Sequence, residues 1–257
     1  MPPRALIVRA PGTNCDEETA FAFERAGAVA QRVHIRRWLE RPALSDEFQI
    51  LCLPGGFSYG DDVAAGRILA NQIRHHLAER VEEFLEQDKL ILGICNGLQI
   101  LLKSGLLVPE DHHGPRVTLT WNDSGRFEDR WVTLDVDGRQ SIFLRDMVRL
   151  ELPIAHAEGK FVARDQRTLD QLSRDGCLTL RYTADVAQGA GVPYPYNPNG
   201  SMGNVAAVAD RTGRMLGMMP HPERHLTATH HPAWTRRPPA DVGDGLKIFA
   251  NAVSYFG

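Results

Sequence analysis

No two of the four cysteines, Cys15, Cys52, Cys95 and Cys177, stand at Cys-x-x-Cys spacing in this 257-residue chain, which argues against a zinc knuckle or a thioredoxin-type redox pair. Without a secretory signal, thiols in a chain of this length are expected to stay reduced, so disulfides are not expected. No apolar run approaches the ~18 residues of a membrane span. The first such run, Ala5-Leu6-Ile7-Val8, ends at Arg9, too soon for a signal-peptide core. A cytoplasmic protein is expected, with no membrane contact. Neither sign of charge dominates: 29 Lys and Arg stand against 32 Asp and Glu, a formal net charge of −3. Such a balance gives no electrostatic grip on nucleic acid or anionic lipid, and neither is expected as a partner. Aromatic residues make up only 7% of the chain, while 43% is hydrophobic and 24% charged, the mix of a globular protein able to bury a sizeable core. No internal repeat and no Pro- or Gly-rich linker divides it.

Three short runs, at residues 5 to 8, 49 to 53 and 90 to 94, are almost wholly apolar, as expected for strands covered on both faces of a parallel sheet. Between the second and third, Leu69, Ile73, Leu77, Val81 and Phe84 recur at helical spacing with charges opposite, which predicts one amphipathic helix from Gly66 to Gln87. Strand, crossover helix and strand make a βαβ unit. Further helices are expected at Asp16 to Arg25 and at Asn96 to Ser104, the latter closed by Gly105 and buried. From Arg116 the texture changes to strand-like segments at Val117 to Trp121, Trp131 to Val136, Val148 to Pro153 and Cys177 to Tyr182. Asn204 to Ala209 and Met215 to Met219 flank the turn Asp210 to Gly213 and read as a hairpin. The fold class is α/β: a central, mostly parallel sheet flanked by helices, with a mixed or antiparallel extension, all in one domain over 1–257. Residues 188 to 201 and 225 to 245 read as loops, the second an insertion before a last helix at 246 to 255.

Gly93-Ile94-Cys95-Asn96-Gly97 joins a buried strand to a buried helix, the Gly-x-nucleophile-x-Gly layout of a nucleophile elbow. A sulfur there sits at the positive end of a helix, which favours thiolate over thiol. Cys52 and Cys177 read as core, and Cys15 as a loop or helix-start residue. A cysteine nucleophile needs a base and a group that orients the base. Of the ten histidines, His75, His76, His112, His113, His230 and His231 lie among polar residues and are expected at the surface, and His34 in a strand. His221 is different, because Pro222 biases it toward extended backbone. In an extended segment Glu223 projects to the same side as His221, so one tripeptide supplies base and orienter. His221 and His225 lack a third ligand at a recognised spacing, and no metal site is expected. The loop Leu53-Pro-Gly-Gly-Phe-Ser-Tyr-Gly-Asp61 leaves a strand with two glycines, whose bare amides suit an oxyanion hole at the carboxyl edge of a parallel sheet.

Gly93 to Gln99, Pro54-Gly-Gly56 and His221-Pro-Glu223 together resemble the class I, triad-type glutamine amidotransferases, a flavodoxin-like fold. Within these, Pro11 to Asp16, Leu53 to Asp61, Pro153 to Gly159, Tyr196 to Ser201 and Gly217 to Arg224 resemble the glutaminase subunits of phosphoribosylformylglycinamidine synthase. The resemblance implies that Cys95 attacks the side-chain amide of glutamine, with His221 as base and then acid and Glu223 holding the imidazole. Gly55, Gly56, Phe57, Asn96 and Gln99 fall at its substrate and oxyanion positions, with His156 and Glu158 as further contacts. It implies no cofactor on this chain. ATP and Mg²⁺ would belong to a synthetase subunit that takes the ammonia, as befits a chain without a Gly-x-x-x-x-Gly-Lys-Ser/Thr loop. A small bridging subunit is a further expected partner. Residues 188 to 195 and 225 to 245 depart from the family pattern as longer loops. The residues alone leave open a free-standing cysteine γ-glutamyl hydrolase, an amidotransferase subunit of another pathway, and a catalytically silent binding module.

Overall fold

The apolar runs pair with one another as a parallel sheet. The computed structural model describes residues 1–137, 140–184 and 191–257. Its strands are β1 (Arg4–Arg9), β2 (Val29–His34), β3 (Ile50–Leu53), β4 (Leu90–Ile94), β5 (Val117–Thr120), β6 (Glu128–Val136), β7 (Arg149–His156), β8 (Lys160–Ala163), β9 (Leu178–Thr183), β10 (Val205–Ala209) and β11 (Met215–Met218). Nine form one sheet in the order β2-β1-β3-β4-β11-β10-β9-β6-β7. The five from β2 to β11 run parallel, in the flavodoxin-like succession, and β10, β9, β6 and β7 continue the sheet antiparallel. Every residue of β3, β4, β10 and β11 is buried, as the continuous apolar runs require. The hairpin between Asn204 and Met219 forms as the sequence predicts.

The helices are α1 (Asp16–Arg25), α2 (Ile35–Glu40), α3 (Arg67–His76), α4 (Ala78–Glu86), α5 (Asn96–Lys103), α6 (Gln166–Arg174) and α7 (Asp244–Ser254). The single helix expected from Gly66 to Gln87 is two, because buried Leu77 leaves helical backbone at φ −132° and ψ 1°. The kink lets Leu69 and Ile73 on one half, and Val81 and Phe84 on the other, all reach the core. Helix α5 is buried from Asn96 through Leu102, so nothing on this stretch faces water. It packs so closely that a Cβ on Gly97 would lie 1.9 Å from the carbonyl oxygen of Leu53.

Further features depart from the sequence reading, among them α2, which starts at Ile35 where a strand was expected. The segment at Val117 to Thr120 does not extend the main sheet; it pairs antiparallel with β8 in a separate two-stranded sheet. Strand β8 and helix α6 carry no clear signal in the sequence. The former has four residues, and the latter buries only Thr168, Leu169 and Leu172, with its first turn capped by Asp165, which accepts from the Thr168 amide at 2.7 Å. His34 ends β2, and its ring accepts from the Arg36 amide to start α2.

Residues 225 to 245 carry two short 3₁₀ turns, Ala228–His230 and Trp234–Arg236. Glu151 fastens them to the edge strand β7. Glu151 donates its amide to Asp244 Oδ2 at 2.7 Å, accepts from His225 Nδ1 through its carbonyl at 2.8 Å, and holds His231 Nε2 and the Arg237 guanidinium with its carboxylate. His231, expected at the surface, is therefore buried, its ring against Trp131. Of the other loop, residues 185–190 lie outside those described; Tyr194 and Tyr196 beyond them are exposed.

Candidate active site

Cys95 follows β4 directly and precedes α5, at φ 51° and ψ −103°, a conformation that a residue with a Cβ rarely adopts and that costs of order 1–3 kcal/mol. The surroundings enforce it. The Cys95 amide donates to Met218 O on the neighbouring β11 at 2.7 Å, and its carbonyl accepts from Gln99 N within α5. The thiol is 5% exposed and stands 3.7 Å from the carbonyl oxygen of Ala155.

His221 leaves β11 at φ −102° and ψ 90°, the extended backbone that Pro222 favours. Its amide donates to Pro153 O at 2.8 Å. Its Nδ1 and Glu223 Oε1 are 2.6 Å apart, with both side chains buried. Because Nδ1 is engaged, Nε2, which makes no hydrogen bond with any described residue, is the nitrogen available for proton transfer. Burial opposes protonation of His221, but Glu223, Cys95 and Cys15 together outweigh it and set its pKa well above the ordinary imidazole value. The dyad is therefore built to hold the proton that a thiol gives up.

A cavity of about 240 Å³ opens beside the thiol, lined among others by Gly56, Phe57, Asp61, Gln99, His156 and Glu158. Three larger clefts, of about 860, 890 and 720 Å³, lie around Arg164, Trp234 and Arg80 and include none of the residues just described. The small cavity is the one that reaches the nucleophile. The amide of Gly56, which lines it, and that of Asn96, next to Cys95, donate to no described residue, as an oxyanion hole needs. Gly56 sits at φ 134°, and a Cβ there would meet the Asn14 amide nitrogen at 2.7 Å, so only glycine fits. The Phe57 amide, by contrast, is taken by Gly12 O at 3.0 Å, leaving Phe57 to line the cavity with its half-exposed ring. Gly55 keeps room for the base: a Cβ there would lie 2.8 Å from His221 Cε1.

The remaining predicted residues brace the wall. Asn96 Nδ2 donates to Gln99 Oε1 and to Asp61 Oδ1, and its Oδ1 accepts from Ser58 N. Gln99 Nε2 donates to Glu158 O at 2.7 Å. Glu158 receives the Ala65 amide and pairs with Lys103 at 3.6 Å, so its charge is compensated. His156 has a fixed tautomer. Asn122 spends both Nδ2 protons on the Arg126 and His156 carbonyls, so its Oδ1 must accept and His156 Nδ1 must donate. His156 Nε2 is then a bare acceptor with no described partner. Burial, reinforced by the positive charge of His221, lowers the His156 pKa to about 3.

Sequence reasoning missed Cys15, Asp61 and Asn122. Cys15 is the N-cap residue of α1, yet its sulfur lies within 4.8 Å of ligand atoms of His221 and Glu223 and accepts from Arg224 Nη2 at 3.3 Å. Two of these three residues are already joined to each other, His221 Nδ1 to Glu223 Oε1. A tetrahedral ion with bonds of about 2.0 Å would hold nitrogen and oxygen roughly 3.3 Å apart, whereas the His221 and Glu223 atoms are at hydrogen-bond distance. No short-range pattern marks Cys15 or Asn122, which join the site only through tertiary packing.

A strained cysteine at a strand-to-helix elbow, an imidazole bonded to a carboxylate and two free amides stand together on a flavodoxin-like sheet, the set of groups that cysteine-dependent amide cleavage would need. The family model of the CobB/CobQ-like glutamine amidotransferase domain matches residues 2–256. The phosphoribosylformylglycinamidine synthase subunit PurQ of Dehalococcoides mccartyi is 45% identical over 98% of this chain and 97% of its own. That of Methanococcus maripaludis is 37% identical over 100% and 99%. The solved structure of PurLQS from Thermotoga maritima matches with a TM-score of 0.74 at 32% identity, covering 100% of both chains. The chain belongs to the glutamine amidotransferases and, among them, to the family of these PurQ subunits.

Proposed function

We propose that this chain is the glutaminase subunit of phosphoribosylformylglycinamidine synthase. The observation that carries the reading is the meeting of Cys95, His221 and Glu223 beside one cavity, in a chain similar over its whole length to PurQ subunits. Cys95 Sγ attacks the side-chain amide carbon of glutamine while His221 Nε2 takes the thiol proton. The oxyanion of the tetrahedral intermediate rests on the Gly56 and Asn96 amides. Collapse expels ammonia, protonated by His221, and leaves a γ-glutamyl thioester on Cys95. Water, deprotonated by the same imidazole, then releases glutamate and the free thiol. Glu223 keeps the ring in one tautomer and stabilises its cationic form.

The ammonia passes to a synthetase subunit, where ATP and Mg²⁺ drive conversion of formylglycinamide ribonucleotide to the amidine in purine biosynthesis. A small bridging subunit completes the assembly, which works in the cytoplasm. No helix among the described residues is long and apolar enough to cross a membrane. The test is ammonia release from glutamine by the wild type and by Cys95→Ala, each with and without the synthetase. Activity should require Cys95 and rise with the partner. Turnover by Cys95→Ala would refute the mechanism, and indifference to the synthetase would refute the assigned assembly.

A further inference from the structure

Glutamine carries two charges on its α-carbon, three carbon–carbon bonds from the amide carbon that Cys95 attacks. The cavity must therefore meet an ammonium as well as an amide. Among the ionisable side chains lining it are Asp61, Glu158, Cys95 and His156, and no Lys or Arg among the described residues lines it. The two carboxylates differ in what already holds them. Glu158 has the Ala65 amide against both oxygens and Lys103 Nζ at 3.6 Å. Asp61 has no ion-pair partner among the described residues. Its Oδ1 accepts from Gly66 N at 3.0 Å and from Asn96 Nδ2 at 3.2 Å, while its Oδ2 accepts from no described residue.

The backbone that carries Asp61 is bent. Tyr59, Gly60 and Asp61 stand in succession at φ 55°, 72° and 53°, and two of the three are residues with a Cβ. Asn96, adjacent to the nucleophile, ties Asp61 to the elbow, so the carboxylate is held one side chain away from Cys95. Burial, with the nearby charge of Glu158, raises the Asp61 carboxyl above the ordinary range despite the Gly66 and Asn96 hydrogen bonds. A carboxylate desolvated in this way, with the charge of nearby Lys103 shared with Glu158, is stabilised by any ammonium that docks against it.

We propose that Asp61 Oδ2 receives the α-ammonium of glutamine, which makes Asp61 the residue that selects the free amino acid over amides lacking that charge. The proposal deepens the glutaminase reading and rests on it. Neutral His156, whose bare Nε2 can accept a hydrogen bond but carries no charge, lines the same cavity.

The experiment compares glutamine with glutaramate, which keeps the amide and the carboxylate but lacks the α-amino group, for wild type and Asp61→Asn in the complex with the synthetase. The wild type should prefer glutamine. In Asp61→Asn the KM for glutamine should rise about 10- to 100-fold, the loss of one charge-assisted hydrogen bond, while kcat/KM for glutaramate changes less than about threefold. Alkylation of Cys95 by uncharged iodoacetamide, read by mass spectrometry, should proceed at the wild-type rate in the variant. Equal loss on both substrates, slowed alkylation, or an unchanged glutamine preference would each overturn the role of Asp61 while leaving the glutaminase reading standing. A wild type that releases no ammonia from glutamine would overturn both.

Discussion

Cys95 Sγ lies 3.7 Å from Ala155 O, although the two follow or belong to strands five places apart in the sheet order, β4 and β7. In a flat sheet that separation would be about 24 Å. The antiparallel half must therefore curl back, so that its far edge returns to the carboxyl end of the parallel half. Pro153 O, on the same strand, accepts the His221 amide, and His156 lines the cavity. The curl thus turns an edge strand into a wall of the active site.

Glu223→Gln keeps the size of the side chain and removes the charge that offsets the desolvation of His221. Ammonia release should fall by about 10²- to 10⁴-fold in kcat, with KM for glutamine changed less. Steady-state kinetics at saturating synthetase checks this, and a variant within threefold of wild type would contradict it.

His156 gives a stability signature. Its folded pKa, about 3, lies below the unfolded value of 6.5, so between these pH values the unfolded chain binds a proton that the native state refuses. Stability from this group is therefore full above the unfolded value and is lost as pH falls. Between pH 7 and pH 5 the wild type should lose about 2 kcal/mol more than His156→Gln. Urea unfolding of both proteins at the two pH values measures the difference.

Gly97→Ala should be among the most damaging single-methyl changes in the chain. Its Cβ would fall 1.9 Å from Leu53 O, a backbone atom that cannot swing away. Separating α5 from β3 to relieve this should cost about 1–3 kcal/mol or more and displace Asn96 and Cys95. A thermal melt indistinguishable from wild type would contradict the packing argument.

Glu151→Ala removes the carboxylate that holds both His231 and Arg237 while leaving the main-chain bonds to Asp244 and His225. Opening of the 225–245 segment should become cheaper by about 1 kcal/mol. Tryptic cleavage after Arg236 should accelerate about fivefold in a timed digest, without loss of the rest of the fold.

The elbow and the His221-Pro222-Glu223 tripeptide were legible because their geometry is written within a few residues: flanking glycines, a proline, an alternation of two. The parallel strands were legible because burial on both faces leaves an unbroken apolar run, as at Leu90 to Ile94. Strand β8 is too short to declare a period, and α6 has only Leu169 and Leu172 as apolar anchors. The break at Leu77 was hidden because the helical spacing of apolar residues continues across it. Asp61 lay inside a motif noted for its glycines, but an unpaired carboxylate oxygen is a property of its neighbours, not of the motif. Cys15 becomes a neighbour of His221 only because the loop after β1 folds over Gly55, where a Cβ would meet both residues.

The hydrogen bond from the Cys95 amide to Met218 O belongs to the same ladder that pairs Ile94 with Met218. Cys95 and His221 thus leave the sheet from adjacent, hydrogen-bonded strands. The spacing between sulfur and imidazole is set by the pitch of a β-ladder, the part of the molecule that gives way last on heating. Catalytic alignment and the global fold should therefore disappear at one temperature, with no range in which a folded protein carries a misaligned triad.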